Sequence, residues 1–394
     1  MGEENRMNSL NIVICSPIYI NGGGCETWLD YFLEGIKKEG QYACVNVYHI
    51  APHENKKTIK DRYVNDSFYR FFSVNVGSQK RGSGFKNIIV FTLFTVKRFM
   101  KSLKRGDHII LIGSTYTGAV GIISRALFGK KVSILTWIRS MAIGELSSRK
   151  SKFVKFGAYI EKKIIRKTDM VITNGLDTLQ NYKSHYPKFE SKMYVIENAV
   201  HFHKFSSIQT VNLRRKISVA YMGRLTTAKG FPQYIDSIQT MGSADRSSIE
   251  FNVYGHGEKE NLIDKNMLTY HGPFFPDDVV RIFEKNEVVV FLNNAKSAGG
   301  LSHGILEAMA AGRLIVAWEN PVHCQILNNN NSVLIPEGDI HKLAALFKKM
   351  ASPPESFLIE LEKKSINARR DASLYSVESH VNKYSKLIEK VAIL

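Results

Sequence analysis

Two segments in the C-terminal half carry residue types able to hold a charged ligand. The first is Tyr221-Met-Gly-Arg-Leu-Thr-Thr-Ala-Lys-Gly230, where Gly223, Arg224 and Lys229 lie between an apolar run and a helix-like stretch beginning near Phe231. Arg presents a planar fork that matches two phosphate oxygens. Lys adds a compact charge a short distance on, and a helix N-terminus favours anions. The second is Ser297-Ala-Gly-Gly-Leu-Ser-His-Gly-Ile-Leu-Glu-Ala-Met-Ala-Ala-Gly-Arg-Leu-Ile-Val-Ala317. Gly299 and Gly300 let backbone N–H groups approach a ligand closely. Glu307 falls early in a helix expected over 305–311. A carboxylate there can accept hydrogen bonds from adjacent hydroxyls or simply answer the helix dipole, and position alone leaves both open. Arg224 and Lys229 by themselves would also suit a surface turn. Together the two segments read as a clamp for a nucleotide diphosphate, a leaving group whose growing charge fixed cations stabilise. That chemistry points to a sugar-nucleotide enzyme.

Elements must place these residues at one edge. Short apolar runs at 11–16, 45–50, 109–112, 132–137, 170–173 and 194–196 read as strands. Helix-length segments at 26–38, 87–104, 118–128 and 150–167 lie between several of them. The rhythm restarts with strands at 217–222, 251–254, 268–270, 288–292, 314–317 and 332–334, and helices at 231–240, 258–264, 277–283 and 305–311. Alternation of this kind predicts α/β architecture with two doubly wound, Rossmann-like domains facing across a cleft. In such sheets ligands bind outside the carboxyl ends of the strands, where all the glycine-rich turns fall. The expected domains are 1–200, 201–372 and a C-terminal helix in 373–394 packing back on the first domain, with a polar linker at 201–209.

The motif order is similar to that of glycosyltransferase family 4, retaining enzymes of the GT-B fold. Gly-Arg-Leu-x-x-x-Lys-Gly at 223–230 and Leu-Glu-Ala-Met-Ala-x-Gly at 306–312 carry the resemblance most strongly. Gly23-Gly-Cys-Glu26, Thr168-Asp-Met-Val-Ile-Thr173, Val195-Ile-Glu-Asn-Ala-Val200, Tyr254-Gly-His-Gly-Glu258 and His271-Gly-Pro-Phe-Phe275 follow in the family's order. The resemblance implies that Arg224 and Lys229 hold the donor diphosphate and that Glu307 binds ribose hydroxyls. It places Gly255, Phe274 and Phe275 along the base, and brings Gly23 and Gly24 to the donor phosphate. It also implies a UDP- or GDP-sugar as substrate, no cofactor, and a front-face transfer in which the departing phosphate oxygen helps to deprotonate the acceptor.

Two departures stand out. The family commonly has a sugar-contacting glutamate eight positions before Glu307, where this chain has Gly299. The donor sugar would then rest on backbone amides of Gly299, Gly300, Leu301 and Ser302, on the Ser302 hydroxyl, or on His303, although His303 reads better as a loop packer. Many relatives have His after the strand at 132–137, whereas this chain has Arg139, which would bind phosphate or acceptor, or pair with Glu145. No Asp-x-Asp motif or metal-ligand spacing is present, so no metal is expected.

Composition sets further bounds. The net charge of +18 is one-sided: residues 1–200 hold 31 Lys and Arg against 16 Asp and Glu, residues 201–394 hold 23 against 20. Basic residues at 97–105 and 149–167 interleave with Phe153, Phe156, Tyr159 and Ile160. Such a pattern suits an anionic membrane surface, although each helix alone would pass for a solvated basic face. With the family resemblance, it suggests a glycan acceptor on a polyprenyl diphosphate, as in lipopolysaccharide or capsule assembly. No nucleic-acid module is recognisable, and charge is the only support for a nucleic-acid partner. Cys15, Cys25, Cys44 and Cys324 show no paired spacing and fit a reducing compartment. The N-terminus reads as lacking a secretory leader, and no apolar run nears the ~20 residues of a spanning helix. The expectation is a cytoplasmic protein peripheral at the inner face of the membrane. Rival readings are a catalytically weak homologue acting as a binding partner, motivated by Gly299, and a sugar-nucleotide epimerase.

Overall fold

A computed structural model describes residues 7–20, 22–53, 56–77, 84–139, 154–295 and 301–392. The chain divides into two compact units, 1–197 with 377–394, and 198–376. These boundaries lie a few residues from the 200/201 and 372/373 expected from sequence.

The first unit runs β1 (Ser9–Ile14), α1 (Gly24–Glu39), β2 (Cys44–Ile50), α2 (Ile59–Arg62), β3 (Tyr69–Val74), α3 (Phe85–Ser102), β4 (His108–Ile112), α4 (Ser114–Phe128), β5 (Ser133–Ile138), α5 (Val154–Lys167), β6 (Met170–Thr173), α6 (Leu176–His185) and β7 (Met193–Val195). Its seven strands are all parallel, in the order β3-β2-β1-β4-β5-β6-β7. Central strands such as β4 are buried along their whole length, which is why they read as unbroken apolar runs without alternation. The edge strand β3 was not expected: in its Tyr-Arg-Phe-Phe-Ser-Val sequence every residue but Tyr69 is half-exposed or exposed. Cys15, Cys25 and Cys44 are free and buried, as small packing residues would be.

The second unit runs β8 (Ser218–Met222), α7 (Phe231–Gln239), α8 (Ser243–Ser247), β9 (Glu250–Tyr254), β10 (Thr269–Gly272), α9 (Val279–Lys285), β11 (Val288–Phe291), α10 (His303–Ala310), β12 (Leu314–Glu319), β13 (Val333–Pro336), α11 (Ile340–Ala351) and α12 (Glu355–Ala372). Six parallel strands lie in the order β10-β9-β8-β11-β12-β13. The strand order reverses between β1 and β4 in the first sheet and between β8 and β11 in the second. At such switch points the connections leave in opposite directions and open a crevice at the carboxyl edge.

Two expectations are corrected. The helix expected at 258–264 is a single short turn at Glu260–Leu262. The 201–209 stretch is no linker: Phe205 and Ile208 are buried in the core of the second unit. The chain's last helix, α13 (Val377–Ala392), returns to the first unit and packs on α1. Gly35 permits that approach, because a Cβ there would lie 2.5 Å from Val381. Trp28, Phe32, Trp137 and Tyr384 knit α1, β5 and α13 together, with the two tryptophan rings 4.8 Å apart.

Candidate active site

β8 ends at Met222, and the chain turns at once through Gly223 at φ 145°. The loop that follows lies along the loop after β9. Gly223 N–H donates to Tyr254 O at 3.0 Å, and Leu225 N–H to His256 O at 3.0 Å. The approach is so close that a Cβ on Gly255 would stand 1.8 Å from Gly223 O. Gly255 is at φ 135°, so both space and backbone demand glycine there. Its backbone is what the loop at 223–225 packs on.

The buried Tyr221 hydroxyl shares its single proton between Arg224 O at 3.1 Å and Lys229 O at 3.0 Å. One side chain from within the sheet thus fixes both cation-bearing positions. The Arg224 side chain is exposed and, among the described residues, has no carboxylate partner. Lys229 is half-buried on the Thr227–Lys229 turn that leads into α7. Burial, with the neighbouring Arg224 charge adding to it, pushes its ammonium down to about 8. Two cations held side by side against their own repulsion suit a diphosphate, which would satisfy both.

The β11 side of the switch point is tied to the same loop. Asn294 N–H donates to Ala228 O at 3.1 Å. Gly230 passes under Leu292 so tightly that a Cβ would meet Leu292 O at 2.2 Å. Glu337, just past β13, accepts from Ala295 N–H at 3.2 Å and from Asn320 Nδ2 at 3.0 Å, while Asn320 also holds Asn293 O at 2.9 Å. On the far side of this loop, Asn198 Nδ2 donates to Leu301 O at 2.5 Å, and His303 Nδ1 lies 3.2 Å from Ala199 O. These contacts fix where α10 begins. It starts at His303, two residues earlier than expected, with Ser302 as an N-cap whose hydroxyl makes no cap bond.

Glu307 therefore sits beyond the first turn of α10, which holds no acidic residue. That placement removes the macrodipole explanation, since the effect fades within one turn. The side chain keeps an opening to solvent, yet burial raises its pKa against the opposing pull of Lys204. It has no hydrogen-bond or ion partner among the described residues. A carboxylate so enclosed and unpartnered is well placed to accept hydroxyl donors from a ligand.

Phe274 is half-buried against the core, whereas the Phe275 ring is exposed and only its backbone is anchored, the N–H donating to Asp278 Oδ2 at 3.0 Å and the carbonyl accepting from Asp278 N–H at 2.9 Å. Gly23 and Gly24 lie in the first unit, where Gly23 at φ 119° opens α1 after β1. Arg139 follows β5 at the same carboxyl edge of that sheet and is half-buried. Gly299 and Gly300, and the Glu145 weighed as a partner for Arg139, lie outside the described residues. Within the second unit the structure thus gathers Gly223, Arg224, Lys229 and Gly255, ties their loop to the β11 loop, and sets Glu307 on the helix that follows. Tyr221, Asn198 and Glu337 were not foreseen as site-building residues, because their partners lie on other loops or at backbone atoms that no spacing reveals.

The two parallel sheets with flanking helices define the fold as GT-B, the fold of the glycosyltransferases this chain resembles. Residues 216–352, within the second unit, match the family described as glycosyl transferases group 1. The chain is 25% identical over 332 residues to an uncharacterized glycosyltransferase of Methanocaldococcus jannaschii, covering 79% of this chain and 81% of that one. Among solved structures it resembles Anabaena HepE in complex with UDP, with TM-score 0.69, 13% identity, and 98% and 100% of the two chains covered. It also resembles the lipopolysaccharide outer core galactosyltransferase WaaB, with TM-score 0.67, 12% identity, and 97% and 99% covered. At these identities the structural likeness speaks for the fold.

Proposed function

We propose that this protein is a retaining glycosyltransferase of the family 4 type. It moves a hexose-type sugar from a UDP- or GDP-sugar to a hydroxyl of a glycan acceptor carried on a polyprenyl diphosphate, in lipopolysaccharide or capsule synthesis. The observation that carries the reading is the paired cations Arg224 and Lys229, without an ion-pair partner among the described residues and with their backbone held by Tyr221 at the switch point of the second sheet. They take up the charge that develops on the departing diphosphate without a resident metal or cofactor, and Glu307 holds the ribose hydroxyls. The departing phosphate oxygen then accepts the acceptor's proton on the same face of the sugar, so configuration is retained. HepE with bound UDP and the galactosyltransferase WaaB share the fold and lend the donor class its support.

The acceptor side rests on the first unit. Helices α3, α4 and α5 pack side by side, and Phe85 of α3 meets Phe156 of α5 ring to edge at 5.0 Å. They leave Leu93 64%, Met100 60%, Leu127 53% and Tyr159 56% exposed. Lys97, Lys101, Lys155, Lys162 and Lys163 are exposed on the same helices. Exposed apolar side chains and lysines on the same helices match an anionic membrane in chemistry and charge. Among the described residues no helix is long and apolar enough to cross a membrane, and we read the attachment as peripheral, at the inner face.

Incubating the protein with UDP-, GDP- and ADP-sugars and a polyprenyl-diphosphate glycan, then determining the anomeric configuration of the product by NMR, tests this function. An α-linked product from an α-donor is expected. An inverted product, or transfer of no sugar from any donor, would refute it.

A further inference from the structure

At the opposite, amino edge of the first sheet lies a second concavity, of about 690 Å³, at the ends of helices α3, α4 and α5 and beside the first residues of β4 and β5. That volume falls in the range of small-molecule sites. Seven Lys and Arg side chains line it against one carboxylate, Asp169. The ordinary account of cations here is that they cap the carbonyls of helix C-termini. Two of them do so. Arg125 donates to the carbonyls of Lys167 at 3.1 Å and Gly129 at 2.5 Å and ion-pairs with Asp169, and Lys192 donates to Thr168 O at 2.7 Å and Arg166 O at 3.3 Å.

The magnitudes show that this account is insufficient. Each helix C-terminus is worth about half a negative charge. Three such ends, together with Asp169, offset fewer than half of the seven cations. Arg105, Lys131, Arg166 and Lys167 have no carboxylate partner among the described residues and stay exposed around the opening. His108, 5% exposed, also lines the concavity, and its Nδ1 has no hydrogen-bond partner. The half-buried Lys192 is pushed down to about 8, first by burial and then by Arg125 and Lys130 against the pull of Asp169. Positive charge is crowded here beyond what the protein's own groups neutralise.

We infer that this concavity is an anion site for a phosphate-bearing ligand, separate from the donor loops of the second unit. The surplus cations bind the phosphate oxygens, and Ser133, Asn8 and the His108 ring add neutral polar groups around it. A phospholipid headgroup and a soluble phosphorylated molecule share this chemistry.

The test is calorimetric titration of inorganic pyrophosphate into the full chain carrying Arg224→Gln, which weakens the donor site. Pyrophosphate should still bind, and adding Arg166→Gln with Lys167→Gln should weaken it by about tenfold or more. Adding Lys155→Gln with Lys162→Gln, on the same helix but outside the concavity, should leave the affinity unchanged. Melting by circular dichroism checks folding, and Arg105→Gln replaces the pair if the pair fails to fold. Equal affinity in the concavity variants, or no pyrophosphate binding once Arg224 is changed, overturns the inference whatever vesicles do. If Arg224→Gln by itself leaves every phase of pyrophosphate binding untouched, the donor-site reading fails instead. Sedimentation with phosphatidylcholine–phosphatidylglycerol vesicles then separates the sources. Loss of vesicle binding in Arg166→Gln/Lys167→Gln beyond that of the Lys155/Lys162 control assigns a lipid headgroup, and retained binding assigns a soluble ligand.

Discussion

Lys229 is a lysine whose charge is expensive where it sits. Its ordinary value of 10.5 falls to about 8 through burial and the adjacent Arg224. Between those two values the unfolded chain binds more protons than the folded one, so this group's contribution to stability improves as pH rises from about 8 toward 10.5. A diphosphate reverses the balance by restoring the charged form. Binding of a nucleoside diphosphate near pH ~9 should therefore take up a fraction approaching one proton. Calorimetry in buffers of different ionisation enthalpy reads that uptake, which should vanish in Lys229→Met. Binding heats independent of buffer would contradict the assignment. Glu307 shifts the other way, raised by burial. Its ionised form accepts ribose hydroxyls, so donor affinity should fall as acid protonates it. Glu307→Gln should raise the donor KM by about tenfold, with a smaller change in kcat.

At the scale of elements, the site depends on loops pinned from inside the sheet. Tyr221→Phe removes the one hydroxyl proton shared between two backbone carbonyls, a bond worth about 1 kcal/mol. The melting temperature should drop modestly, while donor affinity falls further because both cations lose their shared anchor. Gly255→Ala should be worse, since its Cβ would overlap Gly223 O; a thermal melt and nucleotide titration compare the two variants. How much of this was legible follows from the same elements. Buried parallel strands such as β6 announce themselves as short apolar runs, and Met170–Thr173 was read to the residue. The half-exposed edge strand β3 carries no such run. The turn at Glu260–Leu262 passed for a helix because the crowding of Gly257 against Leu225 O, 2.5 Å from a would-be Cβ, is invisible in sequence. Phe205 and Ile208 hid in a polar stretch whose burial is set by the fold. Arg224, Lys229 and Glu307 were legible as residue types at family spacing. Their support by Asn198 and Glu337 was not, because those bonds span 103 and 42 positions.

Across the whole molecule, the charge asymmetry seen in the sequence resolves into distinct surfaces of the first unit. One is formed by the exposed apolar side chains and lysines of α3, α4 and α5, and another is the concavity at the ends of the same helices. Leu93→Ser with Met100→Ser should reduce sedimentation with anionic vesicles severalfold while leaving pyrophosphate binding intact, because both side chains are exposed and absent from the concavity. Equal binding to neutral and anionic vesicles by the unaltered protein would sink the membrane reading. The return of α13 to α1 makes the first unit depend on both ends of the chain, so removal of residues 377–394 should unfold it cooperatively and expose Trp28 to quenchers.

The central claim is that the loop after β8 stabilises a departing nucleoside diphosphate. Its most direct test is the rate of nucleoside diphosphate release from the preferred sugar donor, in the presence of acceptor, by the unaltered protein and by Arg224→Ala. The account predicts a rate lower by about 10²–10³-fold in the variant with its melting temperature unchanged. Release at the unaltered rate would contradict it.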